Sequence, residues 1–204
     1  MINIEEFANR FYDIFPALKG IQPWEITRTL PEILQRIIVN LNEEFQVRNG
    51  IAIHNTAVIE QNVTLKSPVF IGKNCFIGAN AYLRGGVYIG DSTSIGPGSE
   101  IKSSIICGYS SLAHFNFIGD SIIGSNVNFE AGSVTANHYN ERENKNIFVL
   151  HKAKIISTGC HKFGSLVGDH TKIGANAVLS PGTFLQPGSI VKRLELVEQV
   201  GEIV

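Results

Sequence analysis

Cysteine is scarce in this chain, and the three present, Cys75, Cys107 and Cys160, are an odd number with no C-x-x-C spacing. Nothing there suggests a disulfide framework or a thiol metal knuckle, and structural free thiols in a reducing cytoplasm are the expectation. An excess of charge is also missing. Seventeen Lys and Arg face eighteen Asp and Glu, a formal net charge of -1, so no global field favours nucleic acid. An anion site must therefore come from a few placed residues. No apolar run approaches the roughly 18 residues of a membrane span. The opening Met1-Ile-Asn-Ile-Glu-Glu lacks the basic and apolar regions of a signal peptide. The reading is cytoplasmic, without membrane or nucleic-acid partners.

What is present in quantity is apolar residue, 44% against 17% charged, in 204 residues, which suits one sizeable folded domain. Residues 1–50 read as helical. Ile4, Phe7, Phe11 and Ile14 or Phe15 recur at helical spacing ahead of Pro16. Thr29 with Pro31 marks a second helix start, followed by the stripe Ile33, Leu34, Ile37, Ile38 and Leu41. With Trp24 this region reads as a helical cap over the end of the main domain.

From Ile53 the period becomes six. An aliphatic residue recurs at Ile53, Ile59, Leu65, Ile71, Ile77, Leu83, Ile89, Ile95 and Ile101, often followed directly by glycine. Four places after many of these comes a small or β-branched residue, such as Ala57, Val69, Cys75, Ala81 or Thr93. Short strands in a sandwich would not hold one register through nine successive positions. The spacing predicts a three-sided solenoid with the aliphatics on its axis. The rhythm returns at Val167, Ile173, Leu179, Leu185 and Val191, so the solenoid is expected over 51–193, with a short tail at 194–204.

Beyond Ile101 the inward positions are expected at Ile106, Leu112, Ile118, Ile123, Phe129 and Thr135, two of these steps being five residues long. Shortened turns are where such a scaffold can display functional groups. His114 and Asn137 each follow an inward residue by two places and are expected to point outward. By the pattern alone His114 is either a base or a solvated surface histidine. Arg84 and Lys102 are three hexapeptides apart, so they stack on one face as a phosphate clamp or as two solvated charges.

These motifs resemble the hexapeptide-repeat acyltransferases. The run from His114 to Asn137 is similar to the acetyltransferase domain of bifunctional N-acetylglucosamine-1-phosphate uridylyltransferases, and Thr158–Asp169 is similar to a segment of their archaeal members. The resemblance implies a mainly β fold, a left-handed parallel β-helix of hexapeptide repeats with a short α-helical N-terminal region, assembled as a homotrimer. It implies acetyl-CoA as co-substrate, no metal for acetyl transfer, and an amino-sugar phosphate like glucosamine-1-phosphate as acceptor. His114 would be the general base and Asn137 a contact to substrate and acetyl group. Arg84 and Lys102 would hold the phosphate and Asn128 the sugar. An imidazole suits this role because it titrates near neutral pH and can take the proton of an attacking amine.

The sequence departs from the family pattern at several places. Phe117 stands where a tyrosine is common, and Glu130 where glycine is expected. The loop after Asn137 lacks the family's phosphate-binding lysine, for which Lys145 is the candidate replacement. Cys160 and His161 replace arginines of the archaeal segment, while Lys162 is kept. No nucleotide-binding glycine loop precedes the repeat, so uridylyl transfer is not expected. His114 and Asn137 lie four repeat steps apart, hence at different corners of the prism, which suggests a site built between two subunits. A non-catalytic relative that binds a sugar nucleotide or a protein is the alternative function. A zinc hydratase built on the same repeat is a further one, although the six histidines show no paired-ligand spacing.

Overall fold

The structure, a computed structural model, describes residues 1–202. The final two residues of the expected tail lie outside the described residues. Parallel pairing stacks coil on coil: Ile51 opposes Val69, and Val69 opposes Val87, an offset of one 18-residue coil. The solenoid has three faces. Face 1 holds Thr64–Leu65, Phe117–Gly119, Val134–Thr135 and Val178–Leu179, with the first halves of Tyr82–Ile89 and Glu100–Ile106. Face 2 takes the second halves of those two long strands, with Val69–Ile71, Ile122–Ile123 and Ser165–Val167. Face 3 is a separate sheet running from Val58–Ile59 to Ile190–Val191. The expected mainly β helix of hexapeptide repeats is therefore what the chain adopts.

All the inward positions read from the period between Ile71 and Thr135 are buried inside the prism. The two five-residue steps fall at one corner, between faces 1 and 2. There Val87 opposes Ser104 and Ile105 opposes Ile122, so the coil shortens from 18 to 17 residues. Small hydroxyls tie the corners between coils: Thr93 donates to the Cys107 carbonyl at 3.3 Å and Ser110 to that of Gly124 at 2.9 Å.

The helical region is shorter and differently placed than expected. One helix before Pro16 is replaced by a 3-10 turn, Ile4–Glu6, and a short helix α1, Phe11–Ile14. Arg10 between them is left-handed (φ 65°), and the Asn9 N–H leaves for the Asp169 carboxylate at 2.8 Å. Pro16 opens a further 3-10 turn, Pro16–Leu18, instead of ending structure. Helices α2, Pro23–Arg28, and α3, Leu30–Ile38, follow; α3 starts at Thr29 with Pro31 in its first turn, as read. Residues Phe45–Arg48 form an antiparallel hairpin with Ile51–His54 through Asn49 and Gly50, both at positive φ.

These helices do not cap the end of the solenoid. They lie along face 2, because that face is apolar on its outer side as well: Phe70, Tyr88, Ile105, Ile122, Leu166 and Phe184 point out into a second core. Helices α2 and α3 are half of its cover. The other half is an excursion of the chain between Val134–Thr135 and Ser165–Val167, which includes the hairpin Phe148–His151 with Lys154–Ser157. The two halves meet where Trp24 touches Phe163, ring centroids 6.0 Å apart, and where Glu6 pairs with Lys152 at 2.9 Å.

Cys75 and Cys107 are buried, and loss of hydration raises their thiols to about 11 and about 12 respectively. Neither forms appreciable thiolate at neutral pH. Cys160 is half-exposed. An alkylating reagent on the native protein should modify Cys160 alone, and all three thiols after unfolding. Rapid native labelling of Cys107, read by mass spectrometry of the peptides, would contradict the second core.

Candidate functional site

The face 1–face 2 corner collects Arg84, Lys102 and Asn137 of the residues singled out above. Arg84 and Lys102 are direct partners in adjacent strands, as their 18-residue spacing requires. One coil further, Lys102 opposes Gly119, and Asp120 follows in a left-handed conformation (φ 46°), which aspartate tolerates better than most side chains. Its N–H donates to the Lys102 carbonyl at 2.8 Å. The Lys102 Nζ donates to Asp120 Oδ2 at 2.6 Å, and the Asn137 Nδ2 donates to the same oxygen. Lys102, Asp120 and Asn137 thus form one connected chain on successive coils.

Asn137 departs from expectation. It sits at the turn, but at 8% exposure it is buried, because the excursion both leaves and returns at this corner. The Phe163 N–H donates to the Asn137 carbonyl at 3.0 Å, and the Gly164 N–H to the Asp120 carbonyl at 2.9 Å. Gly119 has no side chain for a reason: a Cβ there would come within 2.8 Å of the Asn137 amide nitrogen. The neighbouring His138 Nδ1 lies 3.3 Å from the Asn137 Oδ1.

Each cation of the expected clamp already has a carboxylate. Arg84 holds Glu100, with Nη2 and Nε 2.6 and 2.7 Å from Oε1, in a half-exposed pair. Lys102 and Asp120 are more deeply covered, at 16% and 9% side-chain exposure. Asp120 is the residue that the sequence reading did not single out. A lone aspartate after glycine reads as an ordinary turn, and only the two shortened coils, which place it beside Lys102, could have marked it.

His114 lies at the other edge of face 1, at the corner with face 3, and is exposed. Its backbone is fixed: the Gly132 N–H donates to the His114 carbonyl at 2.9 Å, and the Phe115 N–H to that of Pro97 at 3.1 Å. Buried Asn116 pins the same turn by donating to the Glu130 carbonyl at 2.8 Å and to Ser133 Oγ at 2.9 Å. His114 and Asn137 are therefore at different corners of one chain, as their four-step spacing requires. Phe117, in place of a tyrosine, is partly buried on face 1 between them.

Asn128 is on face 3, exposed, and lines an open cleft of about 710 Å³ with Lys172, Lys192 and Arg193. Glu130, beside it, has a structural task. Its carboxylate takes both Arg193 donors at 2.8 Å and the Ala175 N–H at 2.9 Å, clasping three coils, and these partners hold it below the usual carboxylate range. Lys145 is exposed in the excursion and does not line the cleft beside Asp120; Lys162 does. No three of His, Cys, Asp and Glu converge among the described residues, and no described helix is long and apolar enough to cross a membrane.

Comparison with known proteins gives three findings. A family model described as bacterial transferase hexapeptide (six repeats) matches residues 68–103. A bifunctional protein GlmU of Methanococcus maripaludis is 41% identical over 175 residues, which are 83% of this chain and 41% of that protein. A bifunctional sugar-1-phosphate nucleotidylyltransferase/acetyltransferase of Sulfurisphaera tokodaii is 38% identical over 101 residues, 46% of this chain and 24% of that protein. The chain spans less than half the length of these curated relatives. Among solved structures, a hexapeptide transferase family protein from Anaplasma phagocytophilum is 22% identical, covers 72% of this chain and 74% of its own, and has a TM-score of 0.38.

Proposed function

Since its repeats and its relatives place this chain among the hexapeptide-repeat acyltransferases, we propose that it is an acetyl-CoA-dependent N-acetyltransferase acting on an amino-sugar phosphate of the glucosamine-1-phosphate kind. The observation that carries the proposal is the bonded chain Lys102–Asp120–Asn137 at one edge of face 1, with an exposed histidine on a rigid turn at the other.

Acetyl-CoA supplies a thioester whose carbonyl carbon the amine attacks. The new C–N bond replaces the C–S bond, the amine proton passes to His114 Nε2 or Nδ1, and the departing thiolate is protonated in turn. No nucleophilic side chain is needed. His114 acts as general base, and its fixed backbone keeps the imidazole on station. Asn137 has one amide N–H committed to Asp120 and its Oδ1 within 3.3 Å of His138 Nδ1, and keeps its second N–H for the acyl group or the acceptor. Lys102 and Arg84 face the acceptor phosphate from the same corner, Lys145 is a further proposed contact to it, and Asn128 is the proposed contact to the sugar. The co-substrate suits the face 3 cleft, which adjoins the His114 corner and offers Lys172 and Lys192 for its phosphates.

Because the two catalytic residues sit at separate corners, the complete site belongs to a homotrimer in which His114 of one subunit meets Asn137 of the next. The proposed place of work is the cytoplasm, in keeping with three free thiols.

A thiol-release assay with acetyl-CoA across glucosamine-1-phosphate, its 6-phosphate isomer and glucosamine itself tests the reaction. Release should depend on a phosphorylated acceptor. Silence with every amino sugar at millimolar concentration would end the proposal and leave the non-catalytic binding reading.

A further inference from the structure

The cations named so far at the acceptor corner are neutralised in place: Arg84 by Glu100 and Lys102 by Asp120. A phosphate arriving there meets as much negative as positive charge. Next to them the corner opens into a cleft of about 470 Å³, walled by the end of α2, the turns at Ser103 and Asp120, and the returning loop of the excursion at residues 159–162. Three basic side chains reach this cleft, Arg28, His161 and Lys162, and all are exposed. None of them forms an ion pair or a side-chain hydrogen bond among the described residues. The cleft's one carboxylate, Asp120, is already engaged by Lys102 and Asn137. The net charge facing the space is positive, and concave walls concentrate its effect.

The walls are also held in place. Helix α2 is locked to the excursion by Trp24 against Phe163, and residue 163 is tied by its N–H to Asn137. Pro31, just after α2, comes so near the corner that a Cβ on Gly86 would meet its ring nitrogen at 2.9 Å. Arg28 and Lys162 therefore project from fixed elements, as a site for a small rigid anion needs.

We infer that this cleft is the phosphate subsite of the acceptor, with Arg28 as a bidentate fork and Lys162 as a point charge, and that it holds the phosphate more strongly than Arg84 does. The inference rests on the proposed function only for the identity of the ligand. It also gives the N-terminal segment, laid along face 2, a direct part in the site.

Trp24 supplies the readout, being the one tryptophan of the chain, four residues before Arg28 and packed on the neighbour of Lys162. The full chain is titrated at low, constant ionic strength with inorganic phosphate, with glucosamine-1-phosphate and with glucosamine, following Trp24 emission, and equilibrium dialysis of labelled phosphate measures the same constant independently. Both phosphates should bind saturably and glucosamine should not. Arg28→Gln and Lys162→Met should each weaken phosphate about ten-fold, the loss expected of one charge-assisted contact, and each by more than Arg84→Gln does. Unchanged melting curves keep loss of fold out of the comparison. No saturable phosphate binding, binding indifferent to Arg28 and Lys162, or a loss carried by Arg84 instead would each overturn the inference. Phosphate binding with the expected dependence but no thiol release from any amino-sugar phosphate leaves the subsite standing and removes the reaction. Thiol release whose KM for the sugar phosphate ignores both substitutions does the reverse.

Discussion

Replacing His114 by alanine should lower kcat by about 10²–10⁴, the range of general-base assistance, with KM for the acceptor nearly unchanged. The separation of the two constants follows from the role. A base that takes the proton only as the C–N bond forms contributes to the transition state and little to ground-state binding. The substitution is also structurally mild. The His114 side chain is exposed, and the turn is held by backbone bonds from Gly132 and to Pro97 and by buried Asn116, none of which uses the imidazole. The melting temperature should therefore stay close to that of the parent. A variant of normal stability with undiminished kcat would show that His114 is a solvated surface histidine and that the amine loses its proton elsewhere. A fall in kcat matched by a fall in stability would point to the turn instead of the base.

How far the sequence carries to this site can be judged residue by residue. A period of six over many coils reports which side chains fill the prism, and the positions from Ile71 to Thr135 are buried as the period requires. Register follows from the same count, which is why Arg84 opposes Lys102 and why His114 and Asn137 occupy separate corners. The period is silent on what packs against the prism from outside. Asn9 bonds Asp169 from 160 residues away, and Glu6 reaches Lys152, contacts with no local signature. A signal for the outer core was nevertheless present. Face 2 strands such as Val69-Phe70-Ile71, Val87-Tyr88-Ile89, Ile122-Ile123 and Leu166-Val167 do not alternate, and a strand apolar on both sides is buried on both. That pattern could have moved the helices from the end of the solenoid to its side. The burial of Asn137 was not legible, since it depends on the excursion closing its neck at the corner where it began.

The corner assignment leads to a second large effect. If His114 and Asn137 of one chain served one site, inactive His114→Ala and Asn137→Ala proteins would stay inactive when mixed. Their placement at the two edges of face 1 argues otherwise, since each corner can meet a neighbour's opposite corner around a threefold axis. Unfolding and refolding the two variants together at equal amounts allows mixed trimers. A site is then intact when an Asn137→Ala subunit supplies His114 and the next subunit, carrying His114→Ala, supplies Asn137. Random assembly gives each half a chance of one in two, so about a quarter of the sites, and about a quarter of the parent turnover, should return. Against variants reduced by about 10²–10⁴, the recovered rate is unmistakable. The buried hydrogen bond from Asn137 to Asp120 is lost in one partner, so the Asn137→Ala protein has to refold for the mixture to report on sharing. Asn137→Asp is unsuitable as its replacement, because a second carboxylate beside Asp120 would repel it, whereas Asn137→Ser removes the amide and leaves a small hydroxyl at the corner. Recovery with either replacement makes the trimer interface the place of catalysis. A mixture no more active than its parts, from variants that each refold as trimers, would return both residues to a single chain and require face 1 to be spanned by the acceptor itself.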